Sequence, residues 1–152
     1  MSRATVSLRD FLDQRCVSLD LKGSTKEEII EEMIDLMSLA GGVDDRADAL
    51  RAILDREAKM STGMQNGVAI PHGKTDKVNA LVTAVAIRKD AVDFDALDGQ
   101  PCNIFVMTLS PSNSTGPHIQ FLSEISRILS DEGNRERLAS AESVEAVFDI
   151  LG

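Results

Sequence analysis

Residues 80–87 read Ala-Leu-Val-Thr-Ala-Val-Ala-Ile, an apolar run rich in β-branched side chains and closed by Arg88-Lys89-Asp90. A second run, Asn103-Ile-Phe-Val-Met-Thr-Leu109, follows an Asp98-Gly99 turn signal and ends just before Pro111. Both read as buried strands. Between them Val92-Asp93-Phe94-Asp95 alternates, and either pairs with a strand or bridges the two.

On the N-terminal side, residues 16–21 place Val17, Leu19 and Leu21 on one face, as a half-buried strand does. Ser24-Thr25-Lys26-Glu27 reads as a capping box, and Ile29, Ile30, Met33, Ile34 and Met37 recur at helical spacing until Gly41-Gly42. A second helix is predicted from Asp44 or Asp45 to about Lys59, with Ala49, Leu50, Ile53 and Leu54 inward and Arg56 and Glu57 on its last, solvated turn. Residues 61–67 are rich in turn formers, and Val68-Ala69-Ile70 forms at most a short strand. Beyond the central runs, Pro111 to Pro117 reads as a polar loop. Ile119, Leu122, Ile125, Ile128 and Leu129 then trace a helix with His118 in its first turn. Two short helices follow, one around Asn134 to Ala139 and one from Ser143. Strands alternating with helices predict an α/β fold: a single domain over residues 1–152, with a mixed central sheet flanked by helices on both faces.

Length and charge narrow the function. A chain of 152 residues with 43% hydrophobic content suits one domain. Its net charge of −9 repels phosphate backbones and anionic membranes, which argues against nucleic-acid binding. Arg3, Arg9, Asp10, Asp13 and Arg15 leave no apolar leader at the N-terminus, and no apolar run is long enough to cross a bilayer. The expectation is a cytoplasmic protein without membrane insertion. Cys16 and Cys102 lie far apart with no paired ligand spacing, so they read as two buried thiols, and no metal site is expected.

The chain has only two histidines. His72 stands between Pro71 and Gly73, outside any periodic element; proline stiffens the backbone and glycine lets a neighbour approach it, so this imidazole reads as exposed on a rigid turn. A turn histidine with no role is the plainer alternative. His118 at a helix start sits at the positive end of the dipole, which favours its neutral form. Arg56 carries a planar fork suited to a phosphoryl group. Met60, Met64 and Val68 read either as core or as an adaptable apolar contact. Nucleotide-binding glycine motifs, H-E-x-x-H and G-x-S-x-G are all absent.

Arg56-Glu57, Ser61-Thr62-Gly63, Asn66-Gly67, "AIPHGK", "FDALDGQP" and a helix opened by His118 occur in one order along the chain. In this combination the sequence resembles the enzyme IIA component of the bacterial phosphoenolpyruvate-dependent phosphotransferase system, of the mannitol/fructose type and especially its nitrogen-regulatory branch. The resemblance implies a phosphotransferase that accepts a phosphoryl group on His72 from an HPr-like phosphocarrier protein. The group then passes to a IIB component, or its presence is read by regulatory target proteins. His118 and Arg56 match the family's other catalytic positions. Thr62 and Asn66 match polar residues of the loop bordering the site, and Glu57 and Gly73 are grouped with them as partner-binding positions. No cofactor is implied, because the donor is itself a phosphorylated protein.

Overall fold

The computed structural model describes residues 12–113 and 115–151; Arg3, Arg9 and Asp10, used above against a leader, lie outside them. In chain order the elements are β1 (Leu12–Ser18), α1 (Lys26–Leu39), α2 (Arg46–Lys59), β2 (Val68–Ala69), β3 (His72–Lys74), β4 (Val82–Val92), β5 (Cys102–Ser110), α3 (Thr115–Leu129), α4 (Glu132–Ala139) and α5 (Val144–Leu151).

The two apolar runs form the centre of the sheet. Thr83 to Ile87 of β4 are all buried, as are Ile104 to Ser110 of β5. Successive strand residues point to opposite faces, so unbroken burial means that both faces are covered. β4 and β5 pair antiparallel from Val82↔Leu109 to Ile87↔Ile104. β1 joins β4 in parallel, and β2 and β3 both run parallel to the far side of β5, which makes the sheet mixed, as expected. Between β2 and β3 stands Pro71, whose carbonyl accepts from Thr108 N at 3.1 Å. A proline is tolerated there because this is the sheet edge, where its missing N–H breaks no ladder.

α1 and α2 pack on each other and against β1, β3 and β4, while α3, α4 and α5 pack in series, α4 on β4 and β5 and α5 on β1. The stripe predicted for α1 is fully buried: Ile29, Ile30, Met33, Ile34 and Met37 are each 0% exposed. Its cap lies one residue later than predicted. Thr25 Oγ1 accepts from Glu28 N at 3.2 Å, and the Glu28 carboxylate takes Ser24 N and Oγ at 3.0 Å each. Glu32 holds the N–H groups of Lys22 and Gly23, which keeps the preceding chain extended and leaves Thr25 as the last non-helical residue. The other end closes as a Schellman motif, with Gly42 N bonded to Met37 O, Gly41 N to Ser38 O, and Gly41 at φ +82°.

Several boundaries differ from the sequence expectation; β4 starts two residues later than its apolar run and extends to Val92, which pairs with Cys102. β1 begins and ends earlier, though Leu21 N still reaches Ile87 O at 3.1 Å. α3 begins at Thr115, so Gly116 and Pro117, expected in a loop, lie in its first turn, where a proline forfeits no intrahelical bond. Its buried stripe is also rotated: His118, Phe121, Ile125 and Ile128 are buried, whereas Ile119 is 56% exposed. His118 therefore belongs to the apolar face of α3.

Candidate active site

His72 is the first residue of β3, paired with Thr108 of β5, and is half-buried. The expected exposed turn is a sheet edge. Pro71 and Gly73, which looked like turn punctuation, meet its steric demands: a Cβ on Gly73 would stand 3.0 Å from Ala52 O of α2. The absent side chain thus makes room for the helix crossing behind the strand, and Gly73, though buried, also lines the groove that holds His72.

The His72 ring is held through Nδ1, 2.8 Å from Ile70 O. A carbonyl oxygen only accepts, so Nδ1 carries the hydrogen and Nε2 keeps a free lone pair in the neutral ring. Burial pushes the His72 pKa down, opposed by the Ile70 bond, with Arg56 lowering it further. At neutral pH the ring is uncharged.

α3 brings His118 beside it, with ring centroids 5.5 Å apart and planes inclined at 59°. His118 is 5% exposed, and its Nδ1 lies 2.6 Å from Ser110 Oγ at the end of β5. Burial first, then repulsion from a protonated His72 and from Lys74, push its pKa down to about 4. It is neutral, as expected, but burial is the main cause in place of the helix dipole.

Arg56 reaches the same place from the last turn of α2, half-buried, with Nη1 bonded to Met60 O at 2.8 Å. Arg51, Asp55, Arg56 and Lys59 of α2, Lys74 of β3 and the two imidazoles line one open groove of about 370 Å³. This groove concentrates cations on a chain whose net charge is −9. Arg51, Lys59, Lys74 and Ser110 were missed from sequence. The first two fall at i and i+8 on one face of α2, and Lys74 lies two residues beyond His72 on the same side of a strand, so periodicity held a signal for all three. Ser110 merely ends an apolar run, and nothing local marks it.

Glu57 and Thr62 do not face a partner. One residue beyond Arg56, Glu57 turns about a quarter of the way round the helix into the core and is 7% exposed. Its carboxylate accepts from Lys26 Nζ at 2.8 Å, Thr62 N at 2.8 Å and Thr62 Oγ1 at 2.6 Å. Thr62 O in turn accepts from Ile70 N at 3.0 Å, and the carbonyl of that same residue holds His72. The pair supports the segment that leads to His72 from beneath. Asn66 is exposed at φ +64° in the turn before β2, and lines a different, apolar groove of about 250 Å³ with Met64, Val68, Ile70, Ile125 and Leu129. Met60 is 59% exposed and Val68 5%, which divides the residues left open between core and surface.

Cys16 and Cys102 are free and buried in the core, their thiols pushed up to about 11 by burial. Among the described residues no group of three or more His, Cys, Asp and Glu is arranged to hold a metal ion, and no helix is long and apolar enough to cross a membrane.

Residues 10–152 match the family model described as "Phosphoenolpyruvate-dependent sugar phosphotransferase system, EIIA 2". The chain is 44% identical over 135 residues to the fructose-specific EIIA component of Haloferax volcanii, covering 89% of this chain and 88% of that one. Its fold is similar to the crystal structure of the nitrogen regulatory protein IIA-Ntr from Neisseria meningitidis, with a TM-score of 0.90, 32% identity and coverage of 95% and 99% of the two chains. It is also similar to the mannitol enzyme IIA of Escherichia coli, solved in complex with its phosphorylated enzyme IIB, with a TM-score of 0.77, 27% identity and coverage of 90% and 94%. By sequence and fold together, the chain belongs to the EIIA 2 family of the phosphoenolpyruvate-dependent sugar phosphotransferase system.

Proposed function

We propose that His72 Nε2 accepts a phosphoryl group from the phosphohistidine of an HPr-like carrier protein and passes it to a IIB component. In the accepting step the lone pair on Nε2 attacks phosphorus in line. The new P–N bond forms as the carrier's P–N bond breaks, and the carrier's imidazole leaves with that electron pair. Nδ1 keeps its hydrogen throughout and donates it to the Ile70 carbonyl, so the ring's new positive character is stabilised where it arises. One imidazole is exchanged for another, and catalysis reduces to positioning and charge stabilisation, supplied by Arg56, His118 and the cations of the groove.

The observation that carries this role is the tethered Nδ1, which leaves Nε2 as the reactive nitrogen in a cationic groove. A IIB partner is favoured by the mannitol relative, whose complex contains phosphorylated IIB. The reading puts the protein in the cytoplasm, where phosphoenolpyruvate feeds the carrier. Incubation with phosphoenolpyruvate, enzyme I and carrier should add one acid-labile phosphoryl group by mass, and His72→Ala should abolish it. Equal labelling of that variant sinks the proposal.

A second reading, in which the phosphorylation state of His72 is itself a signal to regulatory target proteins, is favoured by the likeness to IIA-Ntr. It predicts different captured partners for wild-type protein in its phosphorylated and unphosphorylated forms; identical partner sets would remove it.

A further inference from the structure

Ser110 closes β5 with its side chain 0% exposed, and its Oγ lies 2.6 Å from His118 Nδ1. Among the described residues that hydroxyl has no other polar partner, and its backbone is pinned on the sheet opposite Lys74, two residues along from the His72–Thr108 pair. A hydroxyl in a dry site must place its hydrogen on an acceptor. The one acceptor it meets is the Nδ1 lone pair, so Oγ–H donates and Nδ1 accepts. A neutral imidazole that accepts at Nδ1 carries its hydrogen on Nε2.

We propose that Ser110 is a positioning residue: its hydroxyl locks His118 in the Nε2–H tautomer, so that His118 offers a hydrogen-bond donor to a phosphoryl group carried by His72. The second half of this statement rests on the proposed role of His72; the first does not. The two imidazoles, 5.5 Å apart, thus hold opposite tautomers, each set by the group at its Nδ1. Ile70 O accepts a hydrogen bond from His72 Nδ1–H and so bares Nε2 for attack, while the Ser110 hydroxyl donates a hydrogen bond to His118 Nδ1 and so leaves the ring hydrogen on Nε2. With Nδ1–H on His118 instead, a nitrogen lone pair would face the phosphoryl oxygens, and two electron-rich atoms would repel across the groove.

Long-range 1H–15N spectra of the imidazoles, recorded on the full unphosphorylated chain at neutral pH, read both tautomers directly. Wild-type His118 should be Nε2–H with an accepting Nδ1. Ser110→Ala, which removes only an oxygen from the core, should give a tautomer mixture and slow phosphoryl uptake about tenfold at unchanged KM for the carrier, a fraction of the loss seen when a preorganised donor is deleted outright. Ser110→Thr, which keeps the hydroxyl, should recover the wild-type spectrum and rate. The proposal is overturned by a wild-type His118 that is Nδ1–H or charged, or by a Ser110→Ala protein with wild-type tautomer and rate. A Ser110-dependent Nε2–H tautomer in a chain that never takes up phosphoryl would uphold the lock and remove His72 as the acceptor.

Discussion

Acidification should unfold this protein earlier than its carboxylates alone would, because His118 is buried uncharged. Its pKa falls from the ordinary 6.5 to about 4 in the folded state. The folded chain therefore binds fewer protons than the unfolded chain between these two values. The stabilising contribution is complete above pH 6.5, is lost progressively as the pH falls, and is gone at about pH 4. At 1.36 kcal/mol for each pH unit, the loss reaches ~3 kcal/mol, a large part of the stability of a domain this size. His72, shifted in the same direction by burial, adds to it. Urea unfolding of wild type and His118→Gln at pH 7, 6, 5 and 4 separates this effect from the carboxylates, since only the histidine differs. The wild type should lose ~3 kcal/mol more than the variant over that range. Parallel pH profiles, or a directly observed His118 titration near 6.5, would refute the reasoning.

Other substitutions follow from the same geometry. Glu57→Gln removes a buried carboxylate bonded to Lys26 and Thr62 and should cost about 2 kcal/mol, read as a fall of several degrees in Tm; an unchanged Tm would mean that the ion pair contributes nothing. Gly73→Ala pushes a Cβ to 3.0 Å from Ala52 O and should destabilise by ~1–3 kcal/mol, whereas Gly116→Ala, with nothing within 4 Å, should be neutral or slightly stabilising by the same thermal melt. Arg56→Gln should leave the fold intact, losing only the Met60 bond at ~1 kcal/mol. It should nevertheless slow phosphoryl uptake by ~10²-fold in a stopped-time labelling assay; a near-normal rate would take Arg56 out of the chemistry.

Much of this was legible in the chain because it rests on short-range pattern. The apolar runs at 80–87 and 103–109 became the central antiparallel pair, and the stripe of α1 was recovered residue for residue. His72 stood out through its neighbours, and His118 and Arg56 through resemblance, and all three line one groove. What failed depended on contacts between distant segments. The "PHGK" stretch looks like a turn because a strand of three residues has no period of its own; β5 alone makes it a strand. Glu57 looked solvated because its partners, Lys26 and Thr62, come from α1 and from the loop after α2. Ile119 was assigned inward because a histidine was not counted as part of an apolar stripe, which shifted the phase of α3 by one residue.

The most direct test of the central claim is the position of the phosphoryl group on the imidazole. After phosphorylation by phosphoenolpyruvate, enzyme I and carrier, 31P- and 15N-resolved NMR of the intact chain should place phosphorus on Nε2 of His72, with Nδ1 still protonated against Ile70 O. Phosphorus on Nδ1, or on any residue other than His72, would contradict the account.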